Sequence, residues 1–86
     1  MKRILYCIRD NLSGFGTPVF DVSDQTAKRA FSYAINNNPD MNFSPSDYDL
    51  YKVGTFDSET GLFAATESGL PELVVKGSSV FNISNK

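Results

Sequence analysis

The sequence has no histidine and no tryptophan, one cysteine (Cys7), and no long apolar run. Without an imidazole, no serine or cysteine nucleophile has its usual activating base, and His metal sites are excluded. A single cysteine rules out an intrachain disulfide and leaves a thiolate zinc site without partners; a lone thiol fits a reducing cytoplasm. The opening MKRILYCIRD sets two basic residues before an apolar stretch too short for a secretory core. No segment approaches the roughly twenty apolar residues of a membrane span, so a soluble, cytosolic product without a membrane partner is expected. An excess of positive charge is missing too: eight basic against ten acidic side chains give a formal net charge of −2. That is not the footprint of a generic nucleic-acid binder, so any DNA contact has to come from a local basic patch.

What is present is enough for one folded domain over residues 1–86. The chain is 41% apolar with seven Phe and four Tyr, sufficient for a single modest core. The clearest element is SDQTAKRAFSYAINN, residues 23–37. Ala27, Ala30, Phe31, Ala34 and Ile35 recur at helical spacing along one side. Ser23 suits the N-cap, and Asp24 puts negative charge at the positive end of the helix dipole. Three asparagines and Pro39 end the helix, with Asn suited to a left-handed cap. The alanines imply close approach to a flat sheet. Phe31 and Ile35 are its anchors, each contributing roughly 1.5–3 kcal/mol if fully buried. Lys28, Arg29 and Tyr33 fall off that stripe.

Around the helix the pattern is of strands. Lys2 to Arg9 alternates, with Ile4, Tyr6 and Ile8 on one face and Arg3, Leu5, Cys7 and Arg9 on the other. Asp10 to Thr17 reads as a mobile loop with Phe15 exposed at its tip; Gly14-Phe15-Gly16 lacks the Lys and Ser/Thr of a phosphate loop. Pro18 to Val22 is extended. Residues 37–47 carry turn chemistry, with Met41 and Phe43 tucked inward. YDLYKVGTF, residues 48–56, is a second clear strand, in which Gly54 marks a bulge or a close backbone approach. Asp57 and Gly61 make a hairpin connection to a strand at 62–66. A short apolar run at 73–75 follows. Residues 77–86 are an edge strand or a loose tail anchored by Val80, Phe81 and Ile83, the former preferred. The fold class is α+β: one amphipathic helix (about 23–37) on an antiparallel sheet of four or five strands.

Chemistry is sparse. Asp40, Asp47, Asp49, Asp57 and Glu59 cluster in turns and read as turn-formers rather than paired catalytic acids or a cation site. No catalytic residue, metal ligand, cofactor or small-molecule substrate is expected, and the chain is read as a non-enzyme. Two uses remain. Arg3, Arg9, Lys28, Arg29 and Lys52, interleaved with Tyr6, Tyr33, Tyr48, Tyr51 and Phe15, suit single-stranded DNA. Against this, Tyr6 and Tyr51 also serve as core cover. The second use is a protein-interaction module, closing a homodimer by edge pairing or tail exchange or binding a replication or assembly factor.

Several segments in order bear on the choice: Ile8-Arg9-Asp10, Pro18, Ala27, Arg29-Ala30-Phe31, Asn36, Pro45-Ser46-Asp47-Tyr48, Leu50-Tyr51, Val53-Gly54-Thr55-Phe56-Asp57 and Thr60-Gly61. Over residues 1–65 this arrangement resembles the small nonstructural protein of gokushovirus-type microviruses, tailless phages with circular single-stranded DNA genomes. The resemblance implies an accessory protein absent from the mature capsid and acting in the host cytoplasm. It also implies DNA binding linked to genome replication or packaging, and it supplies no catalytic residues. Arg9, Arg29 and Asp57 match the family at positions compatible with phosphate contact or structural bonding.

Overall fold

The computed structural model describes residues 2–81. Its centre is an antiparallel pair, β1 (Lys2–Asp10) and β4 (Tyr48–Asp57), in register from Lys2 opposite Asp57 to Asp10 opposite Tyr48. The outer edge of β1 is covered in two pieces, β2 (Gly14–Phe15) and β3 (Val19–Asp21). The outer edge of β4 is also covered in two, by β5 (Leu62–Ala64) and β6 (Glu72–Lys76). Six strands therefore make a sheet four strands wide. The expected four or five strands become six because Gly14 and Phe15, expected in a loop, pair with Asp10 and Arg9.

Helix α1 (Asp24–Asn37) packs on one face of this sheet. Ser23 caps it as expected, its Oγ accepting the Thr26 amide at 3.2 Å. Ala27, Phe31 and Ile35 are buried against Tyr6, Leu50 and Met41, with Ile4, Ile8, Val74 and Val75 packed round them. Of the three alanines expected on the buried stripe only Ala27 is buried, while Ala34 is half-buried and Ala30 exposed; the helix approaches the sheet at Ala27, and Phe31 and Ile35 fill the gap. The helix stops differently from expectation. Asn38 is extended (φ −83°, ψ 120°), because a residue before proline is pushed out of the helical region. It closes α1 through its amide to Ala34 O (2.9 Å) and starts α2 (Pro39–Phe43) by accepting the Asp40 amide (2.9 Å).

The 37–47 segment thus holds a short helix and a 3₁₀ turn (Pro45–Asp47) rather than turns alone. Met41 is buried as expected, but Phe43 is 88% exposed and is no inward pin. At the end of β6 the chain does not continue as an edge strand: Gly77–Val80 forms one helical turn, α3. A Cβ on Gly77 would run into the carbonyl oxygens of Pro45 and Tyr48, so only glycine lets α3 seat there. Val80 and Phe81 join the core periphery, while Ile83 lies outside the described residues.

Two bulges set which side chains share a face. Leu5 pairs with Gly54 but Tyr6 with Lys52, leaving Val53 as an extra residue in β4. Likewise Val74 is extra in β6, between Leu73 opposite Tyr51 and Val75 opposite Leu50. Uninterrupted alternation would put Phe56 with Leu50 on the helix side. The Val53 bulge rephases the strand, so Phe56, opposite Arg3, joins the face that carries Tyr51. Gly54 fulfils both expectations made for it: it adjoins the bulge, and a Cβ there would clash with the Ala64 carbonyl oxygen.

Candidate nucleic-acid interface

All three helices contribute to the core on the Tyr6 side of the sheet. Among the described residues nothing covers the other face. By register it carries Arg3, Leu5, Cys7 and Arg9 from β1, and Asp49, Tyr51 and Phe56 from β4. The edge pieces add Phe15, Phe20, Phe63, Leu73 and Lys76. Only Cys7 and Gly54 on this face are buried, and burial raises the Cys7 thiol above its usual range, against thiolate chemistry.

The aromatic rings form two groups. Phe56 lies between Phe20 (centroids 5.6 Å apart) and Phe63 (4.9 Å), linking three strands across the sheet. Phe15 meets Tyr51 edge-on at 5.3 Å with the planes at 72°. The Arg9 guanidinium carbon sits 5.4 Å from the Phe15 ring centre, a cation–π distance. Arg9 also reaches Asn11 Oδ1 at 3.4 Å, and its Nε is buried without a hydrogen-bond partner among the described residues. Phe20 and Phe15 stay about half exposed and Phe63 is 68% exposed, more apolar surface than scattered side chains leave.

Charge is divided between the two sides. Of the ten acids, register places only Asp49 on the open face, beside Arg3, Arg9 and Lys76. Asp10, Asp21, Asp57 and Glu72 fall on the helix side of their strands, and Asp24, Asp40 and Asp47 lie in α1, α2 and the 3₁₀ turn. Glu59 and Glu67 are in exposed connections. Asp57 acts as the expected turn-former: its Oδ1 accepts the Glu59 amide at 2.9 Å, which lowers its carboxyl below the usual range. Gly61 completes that turn at φ +76°.

The seven residues expected to bind nucleic acid do not form one surface. Arg3, Arg9 and Tyr51 share the open sheet face. Lys28, Arg29 and Tyr33 project from the solvent side of α1, across the molecule, with Tyr33 70% exposed. Lys52 belongs to neither group: it faces the helix, with its Nζ 3.4 Å from Asp24 Oδ1. Tyr6 is fully buried in the core and presents no platform. Phe20, Phe56 and Phe63, which the sequence reading passed over, supply the larger platform. Phe20 and Phe56 stand opposite Leu5 and Arg3 of β1, and Phe63 opposite Phe56; the bulge at Val53 concealed the side on which Phe56 falls.

Fold and face together define a small α+β protein whose sheet is packed on one side and open, aromatic and locally basic on the other. The chain belongs to the Phage ORF5 protein family, whose sequence model matches residues 3–80. It is therefore a bacteriophage protein, as the resemblance implied. No curated protein and no solved structure gives a match. No helix among the described residues is long and apolar enough to cross a membrane.

Proposed function

We propose that this phage protein is a nonstructural accessory factor that binds single-stranded viral DNA along the open face of its sheet. It does so in the host cytoplasm during genome replication or packaging, in the manner of the microvirus proteins it resembles. The observation that carries the reading is the segregation of acids: an acidic protein sets aromatic rings and three cations, Arg3, Arg9 and Lys76, on one sheet face, where register leaves a single carboxylate. Bases stack on exposed rings with little regard to sequence, and cations track the phosphates. Arg3 and Arg9 lie six residues apart on β1, about 20 Å at strand rise. That length takes a short run of nucleotides, toward the lower end of the roughly 4–16 per domain known for single-strand binders. The mechanism is stoichiometric cover, with no bond made or broken.

The other use of such a face is to bind protein, including a second copy of the chain. Face-to-face packing of two copies would oppose Arg3, Arg9 and Lys76 to themselves, which a polyanion does not. Titration of a labelled single-stranded oligonucleotide at two salt concentrations tests the reading. Binding that weakens as salt rises is the expected result. Absence of binding at low salt would reject it in favour of the interaction module, and the mass in solution without DNA would then report self-association.

A further inference from the structure

On the open face Asp49 is the exception, since a carboxylate there repels the phosphates the face is proposed to hold. It stands directly opposite Arg9 in the β1–β4 register, yet the two make no ion pair among the described residues. Asp49 Oδ2 accepts only a long bond from Asn11 Nδ2, at 3.3 Å. Arg9 is turned over the Phe15 ring with its Nε–H buried and unpartnered, and its Nη1 donates a long bond to Asn11 Oδ1 at 3.4 Å. The Asp49 carboxylate and the outer guanidinium nitrogens of Arg9 therefore stand on neighbouring strands with only one long bond each among the described residues, at the end of the sheet where Phe15 meets Tyr51.

We infer that this corner is a base-reading subsite selective for guanine within a single strand, an inference that rests on the sheet-face binding proposed above. A carboxylate is an acceptor with two oxygens and no proton to give. Guanine alone among the four bases offers it two adjacent N–H donors, N1–H and the N2 amine. The same base presents O6 and N7, the acceptor pair that arginine recognises best. Adenine, cytosine and thymine each leave one Asp49 oxygen unmatched. Arg9 covers one face of Phe15, so a base stacks on what the Phe15–Tyr51 edge contact leaves open, and a purine covers more of it than a pyrimidine.

Competition among oligothymidines carrying one central dG, dA, dC or deoxyinosine tests this on the full chain. The dG strand should compete about ten-fold better than dA, dC or all-thymidine strands. Inosine, which lacks only the N2 amine, should fall most of the way to the others. Asp49→Asn should erase the dG preference while holding oligothymidine at least as tightly, because a negative charge has gone. Equal competition by all bases, or a dG preference that survives Asp49→Asn or the inosine exchange, would overturn the subsite and leave sheet-face binding intact. Failure of every strand at low salt would overturn both. Displacement by free dGMP as strong as by the dG strand would overturn the placement within a strand, leaving a mononucleotide site.

Discussion

The Tyr6 hydroxyl donates to Asp24 Oδ1 at 2.5 Å, tying the centre of the sheet to the first turn of α1. The same oxygen receives Lys52 Nζ at 3.4 Å. One carboxylate thus serves the helix dipole, a buried phenol and a strand cation, and fixes the start of the helix over β1 and β4. Tyr6→Phe should cost about 1 kcal/mol, the value of a hydrogen bond to a charged group discounted because Asp24 remains half open to water. Urea denaturation of the two proteins measures it.

Burial, then the bond to Asp24, raises the Tyr6 phenol well above its ordinary range. The unfolded chain therefore loses this proton first, near pH 10. Stability should begin to decline above about pH 8.5, where the unfolded chain releases the Cys7 proton that burial retains in the fold, and fall more steeply above about pH 10, since the native state keeps protons the unfolded state has released. In Tyr6→Phe the alkaline decline should shrink to the parts contributed by Cys7 and Tyr48, both of which are also raised by desolvation. At the acid end the sign reverses. The Thr26 hydroxyl, 2.5 Å from Asp21 Oδ1, and the Val22 amide hold the Asp21 carboxyl below its usual range. That stabilisation is present above about pH 4 and is lost as pH falls further, and Thr26→Val should reduce it. Thermal melts across pH read both limbs.

Gly54→Ala should destabilise the domain, because the new Cβ would clash with the Ala64 carbonyl oxygen where β5 docks. Overpacking of this kind costs typically about 1–3 kcal/mol. Loss should appear first in hydrogen exchange of the β4–β5 hairpin.

Single-stranded DNA affinity should follow the sheet face and not the helix. Phe63→Ala and Phe20→Ala, both at exposed edges, should each weaken binding by roughly ten-fold, about 1–3 kcal/mol per stacked base, and lower the melting temperature modestly because both rings pack on Phe56. Arg3→Glu should weaken binding and flatten its salt dependence. Lys28→Glu with Arg29→Glu should leave both nearly unchanged, since these side chains lie across the molecule from the rings.

Helix α1, the alternation of β1 and the Asp57–Gly61 hairpin were legible because each depends on local order: a 3.6-residue stripe, a two-residue period, a turn sequence. What the sequence concealed depends on register. Pairing of Gly14 and Phe15 with β1 has no local mark beyond a glycine, and the break of each edge into two pieces is a tertiary outcome. One extra residue, Val53, decides that Phe56 joins Tyr51 rather than Leu50, and no count along 48–56 reveals it. The cations divide for another reason: α1 packs on the Tyr6 side of β1, which sends Arg3 and Arg9 to one side of the molecule and Lys28 and Arg29 to the other. Phe43 shows the same limit from the opposite direction: its hydrophobicity suggested an inward pin, but a five-residue helix offers only one inward position there, and Met41 takes it.

Backbone and aromatic chemical shifts followed during titration with single-stranded oligonucleotide test the central claim most directly. The account predicts shifts at Phe15, Phe20, Tyr51, Phe56 and Phe63 and along β1 from Arg3 to Arg9, with Lys28, Arg29 and Tyr33 unmoved. Shifts centred on the solvent side of α1, or none at any residue at low salt, would contradict it.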